Sequence, residues 1–193
     1  MTLYKSVSWN EPSKEEILSL IMAPYISDPK VGYVGKLPAS AQDGILKLLN
    51  VDKTLYDQHN IMLVYFPPKS TIMIHSDHRP NLPKEYQADQ TLILPLKNCD
   101  NLKWYWHEVT NPDGIFSYGE DSKFNPVPTV RKQDTKVIEE IYCTNSFIAN
   151  IKQWHNLTNE SDDIAIGISV RLLPWSCKTD FTQPPVPNII INQ

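Results

Sequence analysis

The stretch FIANIKQWHNLTNESDDIAIGISVRLL, residues 147–173, decides the fold. An apolar run of β-formers leads into Trp154 and His155, and a polar turn of Asn, Thr, Glu, Ser and Asp follows. A second apolar run, IAIGISVRLL, then leads out to Arg171. This is the texture of a strand, a turn and a strand. Working outward, the same texture fills the chain from residue 60: IMLVYF, TIMIH, QTLILPL, LKWYWHEV, KVIEEIYC and SFIANI. So many strands with few helices between them predict a mainly β protein, an antiparallel sandwich or jelly roll, with an open β-barrel as the alternative. A parallel α/β sheet is excluded, because its crossover helices are missing.

Only the first third reads differently. EPSKEEILSLIMA is a predicted helix, with Ser13 and Glu16 as a capping box and Ile17, Leu18, Leu20, Ile21 and Met22 as its apolar face. PASAQDGILKLLN is a second, capped near Ser40. The 193 residues suit one domain: a helical decoration over about 1–58, a β core over about 60–173, and a proline-rich tail over about 174–193 that lies extended on the surface or on a partner. Sixteen prolines against six glycines, scattered along the chain, predict short elements joined by rigid turns.

Composition narrows the function classes. A formal net charge of −4 leaves no electrostatic footprint for nucleic acid. No apolar run approaches the roughly 18 residues of a membrane span. MTLYKSVSWNEPSKEE lacks the apolar stretch of a signal peptide, so a cytoplasmic protein is expected. Cys99, Cys143 and Cys177 are odd in number and contain no CxxC pair, which predicts small core residues in place of disulfides or thiolate metal ligands.

The chemistry begins at IMIHSDHRP, residues 72–80. Alternate side chains of a strand share a face, so His75 and Asp77 project together while Ser76 and His78 point away. An imidazole beside a carboxylate makes two thirds of the two-histidine, one-carboxylate facial triad that binds Fe(II) and leaves positions open. An HxD tripeptide arises by chance in roughly one chain in three of this composition, so its context must discriminate. The context is His155. In a jelly roll an early HxD and a histidine on a late strand converge at the mouth of the barrel, although 80 residues separate them here.

With FPPKSTIMIHSDH, LILPLKNCDNLKWYWHEV and HNLTNES, residues 60–173 resemble the Fe(II)- and 2-oxoglutarate-dependent dioxygenases, in particular small oxygenases of phage and marine bacterial type. The resemblance implies a double-stranded β-helix and His75, Asp77 and His155 as iron ligands. It also implies 2-oxoglutarate as co-substrate and O2 as oxidant, with decarboxylation to succinate and CO2 coupled to oxidation of a C–H bond. The free imidazole nitrogens should then meet hydrogen-bond acceptors.

The chain departs from the family at one place. Many members carry an arginine about ten residues after the distal histidine, and a serine two further on, to hold the far carboxylate of 2-oxoglutarate; here Ala165 and Gly167 stand there. Arg171 shares a face with Ala165 but lies about 20 Å further along an extended strand. Arg171, Lys97, Lys103 and Arg79 are the candidate anchors. Arg171 ranks first for its planar bidentate fork. Tyr65 is a candidate donor to a bound carboxylate on residue type alone. His78 and Arg79 are expected on the rim, and His107 as a structural residue or pocket wall. Trp104 and Trp106, or Tyr105 on the other face, are expected to wall the pocket. Residues 110–133 form a turn-rich segment that is either an active-site lid or a surface excursion.

The leading expectation is therefore a non-haem Fe(II)- and 2-oxoglutarate-dependent oxygenase acting on a small molecule or on an amino-acid or peptide side chain. Two alternatives stand beside it. One is a cupin-like metalloenzyme that does not use 2-oxoglutarate, with more histidines in its metal shell. The other is a non-catalytic jelly-roll binding protein in which the histidines are incidental.

Overall fold

The computed structural model describes residues 3–9, 14–25, 33–37, 39–48, 61–78, 89–118, 127–172 and 189–191. Along them run β1 (Tyr4–Trp9), α1 (Lys14–Tyr25), β2 (Tyr33–Lys36), α2 (Ala39–Leu48), β3 (Ile61–Phe66), β4 (Ile74–His75), β5 (Gln90–Lys97), β6 (Leu102–Val109), β7 (Ile115–Tyr118), β8 (Val127–Val130), β9 (Thr135–Tyr142), β10 (Phe147–Asn150), β11 (Trp154–Asn159), β12 (Ala165–Leu172) and β13 (Ile189–Ile191).

The strands pair antiparallel into two sheets, one in the order β13-β1-β10-β5-β12-β3-β2 and the other in the order β7-β8-β4-β11-β6-β9. From β3 to β6, and again from β9 to β12, successive strands change sheet: β3, β5, β10 and β12 belong to the first, and β4, β6, β9 and β11 to the second. Two four-stranded sheets exchanging strands in this way form a jelly roll. The fold class expected from the sequence is thus the one observed.

Period-2 alternation sorts the side chains of β12. Ile166, Ile168, Val170 and Leu172 join a core built with Ile17 and Ile21 of α1 and Ala41, Ile45 and Leu46 of α2. The helices therefore cover the outer face of the seven-stranded sheet. Each fully buried Ile or Leu on that face contributes about 1.5–3 kcal/mol. The other face, with Ala165, Ile93, Phe147, Ala149 and Phe66, packs on Trp104, Trp106 and Leu157 of the six-stranded sheet. The candidate site lies at one end of this inter-sheet layer.

Several elements differ from the sequence reading, each for a physical reason. HNLTN is not a turn but the body of β11. Its polar side chains are satisfied in the sheet: Asn156 Oδ1 meets His107 Nε2 at 2.6 Å, and the fully buried Asn159 donates to the carbonyls of Phe66, Pro67 and Asp163. TIMIH shortens to the two residues of β4, with Thr71 bridging Thr158 separately. The first third supplies β1 and β2 to the seven-stranded sheet as well as its helices, and β13 of the tail pairs with β1. Within 110–133, β7 and β8 form a hairpin that extends the six-stranded sheet, while 119–126 lie outside the described residues.

The predicted cap Ser13 also lies outside the described residues. Ser40 falls inside the first turn of α2, where Gln42 Nε2 donates to Leu37 O at 2.6 Å and ties the helix to the chain before it. Cys99 and Cys143 are buried free thiols, as expected of core residues, and Cys177 is not among the described residues. No helix among the described residues is long and apolar enough to cross a membrane.

Candidate metal centre

β4 and β11 are neighbours in the six-stranded sheet, and their register sets His75 directly opposite His155. Directly opposed residues share a face, so both imidazoles project into the inter-sheet layer, with ring centroids 4.5 Å apart. Past the end of β4, Asp77 N donates to Ile151 O at 3.0 Å, which returns the Asp77 side chain to the same face. Ser76, between them, points away and pins the loop through Oγ to Lys152 O at 2.8 Å and through its N–H to Pro128 O at 3.0 Å. His75, Asp77 and His155 each offer a ligand atom, and these atoms lie within 4.8 Å of one another.

The protons are arranged for a cation. His75 Nδ1 lies 2.8 Å from Met73 O, and His155 Nδ1 lies 2.8 Å from Gln153 O. A carbonyl only accepts, so both Nδ1 atoms donate, and each Nε2 of a neutral ring carries a bare lone pair. Burial first, and the neighbouring His75 second, push the His155 pKa down to about 3. His155 is therefore neutral near pH 7. The 3.9 Å approach of its Nε2 to Asp77 Oδ2 is then a contact between two acceptors and not an ion pair. Three such donors without a thiolate suit a divalent ion of the Fe(II) kind.

Arg171 completes the centre. Its Nη2 donates to Asp77 Oδ1 at 2.9 Å, and Asp77 Oδ2 lies 3.9 Å from His155 Nε2. Arg171 lies too far along β12 to serve where Ala165 stands, and the register shows which of the two is at the cluster. Arg171 opposes Thr91, Thr91 opposes Ala149, and Ile151 just beyond bonds Asp77, so the C-terminal end of β12 is the end at the site. Ala165 opposes Phe66 at the far end of the strand.

The remaining candidates divide. Trp104 and Trp106 face the layer, Trp104 stacking on the His155 ring at 4.9 Å and 14°. Tyr105 faces outward and donates to Glu160 Oε1 at 3.3 Å. His107 also lies on the outer side, buried, between Asn156 and Thr135 Oγ1 at 3.3 Å; burial lowers its pKa. His78 is half-buried, with Nδ1 3.9 Å from Asp89 Oδ1. Lys103 is engaged by Glu160 and Glu140, and Lys97 is exposed where β5 ends, far from the cluster. Arg79 lies outside the described residues. Tyr65 is not brought to the cluster: it packs in the helix-side core with Ile166 and Ile168. Parity could have told this, since Tyr65 alternates with the inward Phe66. Residue type alone missed Gln153 and Met73, whose signal is only that each precedes a candidate histidine by two.

No family model matches the chain, and no curated protein matches it in sequence. Among solved structures, HygX from Streptomyces hygroscopicus with nickel and 2-oxoglutarate bound is similar at 9% identity, over 86% of this chain and 83% of that one, with a TM-score of 0.43. The viral collagen prolyl hydroxylase vCPH from Paramecium Bursaria Chlorella virus-1, a 2-oxoglutarate complex, is similar at 16% identity over 87% and 94%, with a TM-score of 0.41. Drosophila melanogaster CENP-C bound to CAL1 is similar at 6% identity over 60% and 67%, with a TM-score of 0.32.

Proposed function

We propose that this protein is a non-haem Fe(II)- and 2-oxoglutarate-dependent oxygenase acting on a C–H bond of a small molecule or an amino-acid or peptide side chain. The observation that carries the reading is the convergence of His75, Asp77 and His155, whose ligand atoms lie within 4.8 Å of one another, with both Nδ1 atoms tied to backbone carbonyls. Two imidazoles and one carboxylate on a single side fit Fe(II) and leave coordination positions for co-substrate and oxygen. When bound, iron supplies the chelation of 2-oxoglutarate and the activation of O2 that couple decarboxylation to substrate oxidation.

The side chains of this chain set the conditions for that chemistry. Met73 O and Gln153 O fix the tautomer and plane of the two imidazoles. Arg171 holds Asp77 through Oδ1 and so orients its carboxylate in the cluster. As a fixed cation beside the centre, Arg171 is also the residue placed to attract an anionic co-substrate. Trp104, Trp106 and Phe147 close the inner side of the layer against water.

A cupin-like centre richer in histidine is less well supported, since His107 lies on the outer face and His78 turns to Asp89. The test is uncoupled turnover. Aerobic protein with Fe(II), and ascorbate as the two-electron reductant, should convert 2-oxoglutarate to succinate slowly without substrate, and Asp77→Ala should not. Stoichiometric metal without any succinate would point instead to the metalloenzyme that does not use 2-oxoglutarate, and no bound metal to the non-catalytic binding protein.

A further inference from the structure

Buried donors around the cluster can be accounted for one by one. The two histidine Nδ1 protons go to Met73 O and Gln153 O. Thr91 Oγ1 donates to Val170 O at 3.1 Å, which leaves Ser169 Oγ to donate to Thr91 Oγ1 at 2.7 Å. Trp106 Nε1 donates to Asn150 O at 3.1 Å. Besides His78 Nδ1, which turns toward Asp89 Oδ1 at 3.9 Å, two donors remain with no acceptor among the described residues: Trp104 Nε1 and Arg171 Nε. Trp104 is only 3% exposed, so solvent does not satisfy it. A fully buried N–H without a partner is rare in folded proteins and calls for an acceptor.

The position of Trp104 says what kind of acceptor. Its ring lies flat on His155, at 14° between planes, and the other orphan donor belongs to the arginine that grips Asp77. Neither N–H has an acceptor among the described residues, which leaves both available to a ligand oxygen. The guanidinium that binds Asp77 in the same cluster favours an anionic oxygen, which is a carboxylate in a centre that takes a 2-oxoacid.

We propose that Trp104 is a ligand-binding residue whose buried indole N–H donates to a carboxylate oxygen of the 2-oxoglutarate co-substrate, while its ring holds the imidazole plane of His155. This rests on the oxygenase reading above. The role gives Trp104 two separable parts: the ring serves the metal ligand, and the N–H serves the co-substrate. Trp104→Phe keeps the first and deletes the second.

The experiment uses protein loaded anaerobically with Zn(II) in place of iron, and measures metal and 2-oxoglutarate binding by calorimetry in wild type and Trp104→Phe. The expected result is metal affinity preserved within roughly threefold and 2-oxoglutarate affinity weakened by roughly 10–100-fold, the loss of one hydrogen bond to a charged acceptor. In ¹⁵N-tryptophan wild type, independent of whether the variant folds, the Trp104 indole N–H resonance should move downfield on saturation with 2-oxoglutarate while that of Trp106 stays. Equal 2-oxoglutarate affinity in a folded variant, or an unmoved Trp104 resonance in saturated wild type, overturns the role of Trp104 and leaves the oxygenase reading standing. Failure of metal-loaded wild type to bind 2-oxoglutarate at all overturns both.

Discussion

Arg171 donates from Nη2 to Asp77 Oδ1 at 2.9 Å across 94 residues of sequence, joining the end of β12 to the loop after β4. Both side chains are mostly buried, at 19% and 13% exposure, so neither charge is left to solvent. Arg171→Ala should therefore destabilise the metal-free protein by roughly 1–3 kcal/mol, because a mostly buried carboxylate loses its cationic partner. It should also weaken divalent-metal binding by about 10–100-fold, as loss of a group that orients a ligand does. Arg171→Lys keeps the charge without the planar fork and should fall between. Denaturant melts and metal titrations of the three proteins check the order.

Acid should unfold the metal-free protein in a definite window. Burial holds the His155 pKa at about 3, below the ordinary value of 6.5, so the unfolded chain takes up a proton that the folded chain refuses. Stability then falls as pH drops from about 6.5 toward 3 and levels off below that. His107, also depressed by burial, adds a contribution of the same sign. Thermal melts of metal-free protein from neutral to acid pH should show this slope, and it should be shallower in His107→Gln.

Tyr65→Phe should leave the affinity for 2-oxoglutarate unchanged. The phenol belongs to the core between the seven-stranded sheet and the helices, on the opposite side of β3 from the layer that holds the cluster. A titration of metal-loaded Tyr65→Phe against wild type is sufficient, and a clear loss of affinity would reverse the placement.

Gly114→Ala should destabilise the fold by about 1–3 kcal/mol. A Cβ there would fall on the side chain of Asp134, which is itself buried and accepts from Asn111 Nδ2 at 2.9 Å. Asp134 cannot swing aside without giving up that bond. Since Thr110 N and Asn111 N also bond Asp134 O, the damage should centre on the β7–β8 hairpin. Calorimetric unfolding measures the loss, and hydrogen exchange locates it.

The strands that carry apolar alternation were legible in the sequence almost to the residue: IMLVYF is β3 and LKWYWHEV is β6. β periodicity put only His75 and Asp77 on one face; His155 was joined to them through the expected jelly roll and the family resemblance, and the three do lie together. What stayed hidden was structure held by polar side chains. β11 reads as a turn, since nothing local reveals that Asn156 will meet His107 and Asn159 will meet three carbonyls. The place of Arg171 was hidden too: parity gave its face, but only the inter-strand register gives the end of β12 at which the cluster sits. Trp104 shows a further limit. A hydrophobic, strand-forming residue reads as core, and its unpartnered N–H appears only once every neighbouring acceptor is known.

The most direct measurement is an anaerobic titration with Fe(II) in the presence of 2-oxoglutarate, followed by the visible charge-transfer absorption of the chelated 2-oxoacid. The account predicts a band that saturates at one iron per chain in wild type and is lost in His75→Ala, Asp77→Ala and His155→Ala. A wild type that develops no band, or a band that survives all three substitutions, would contradict it.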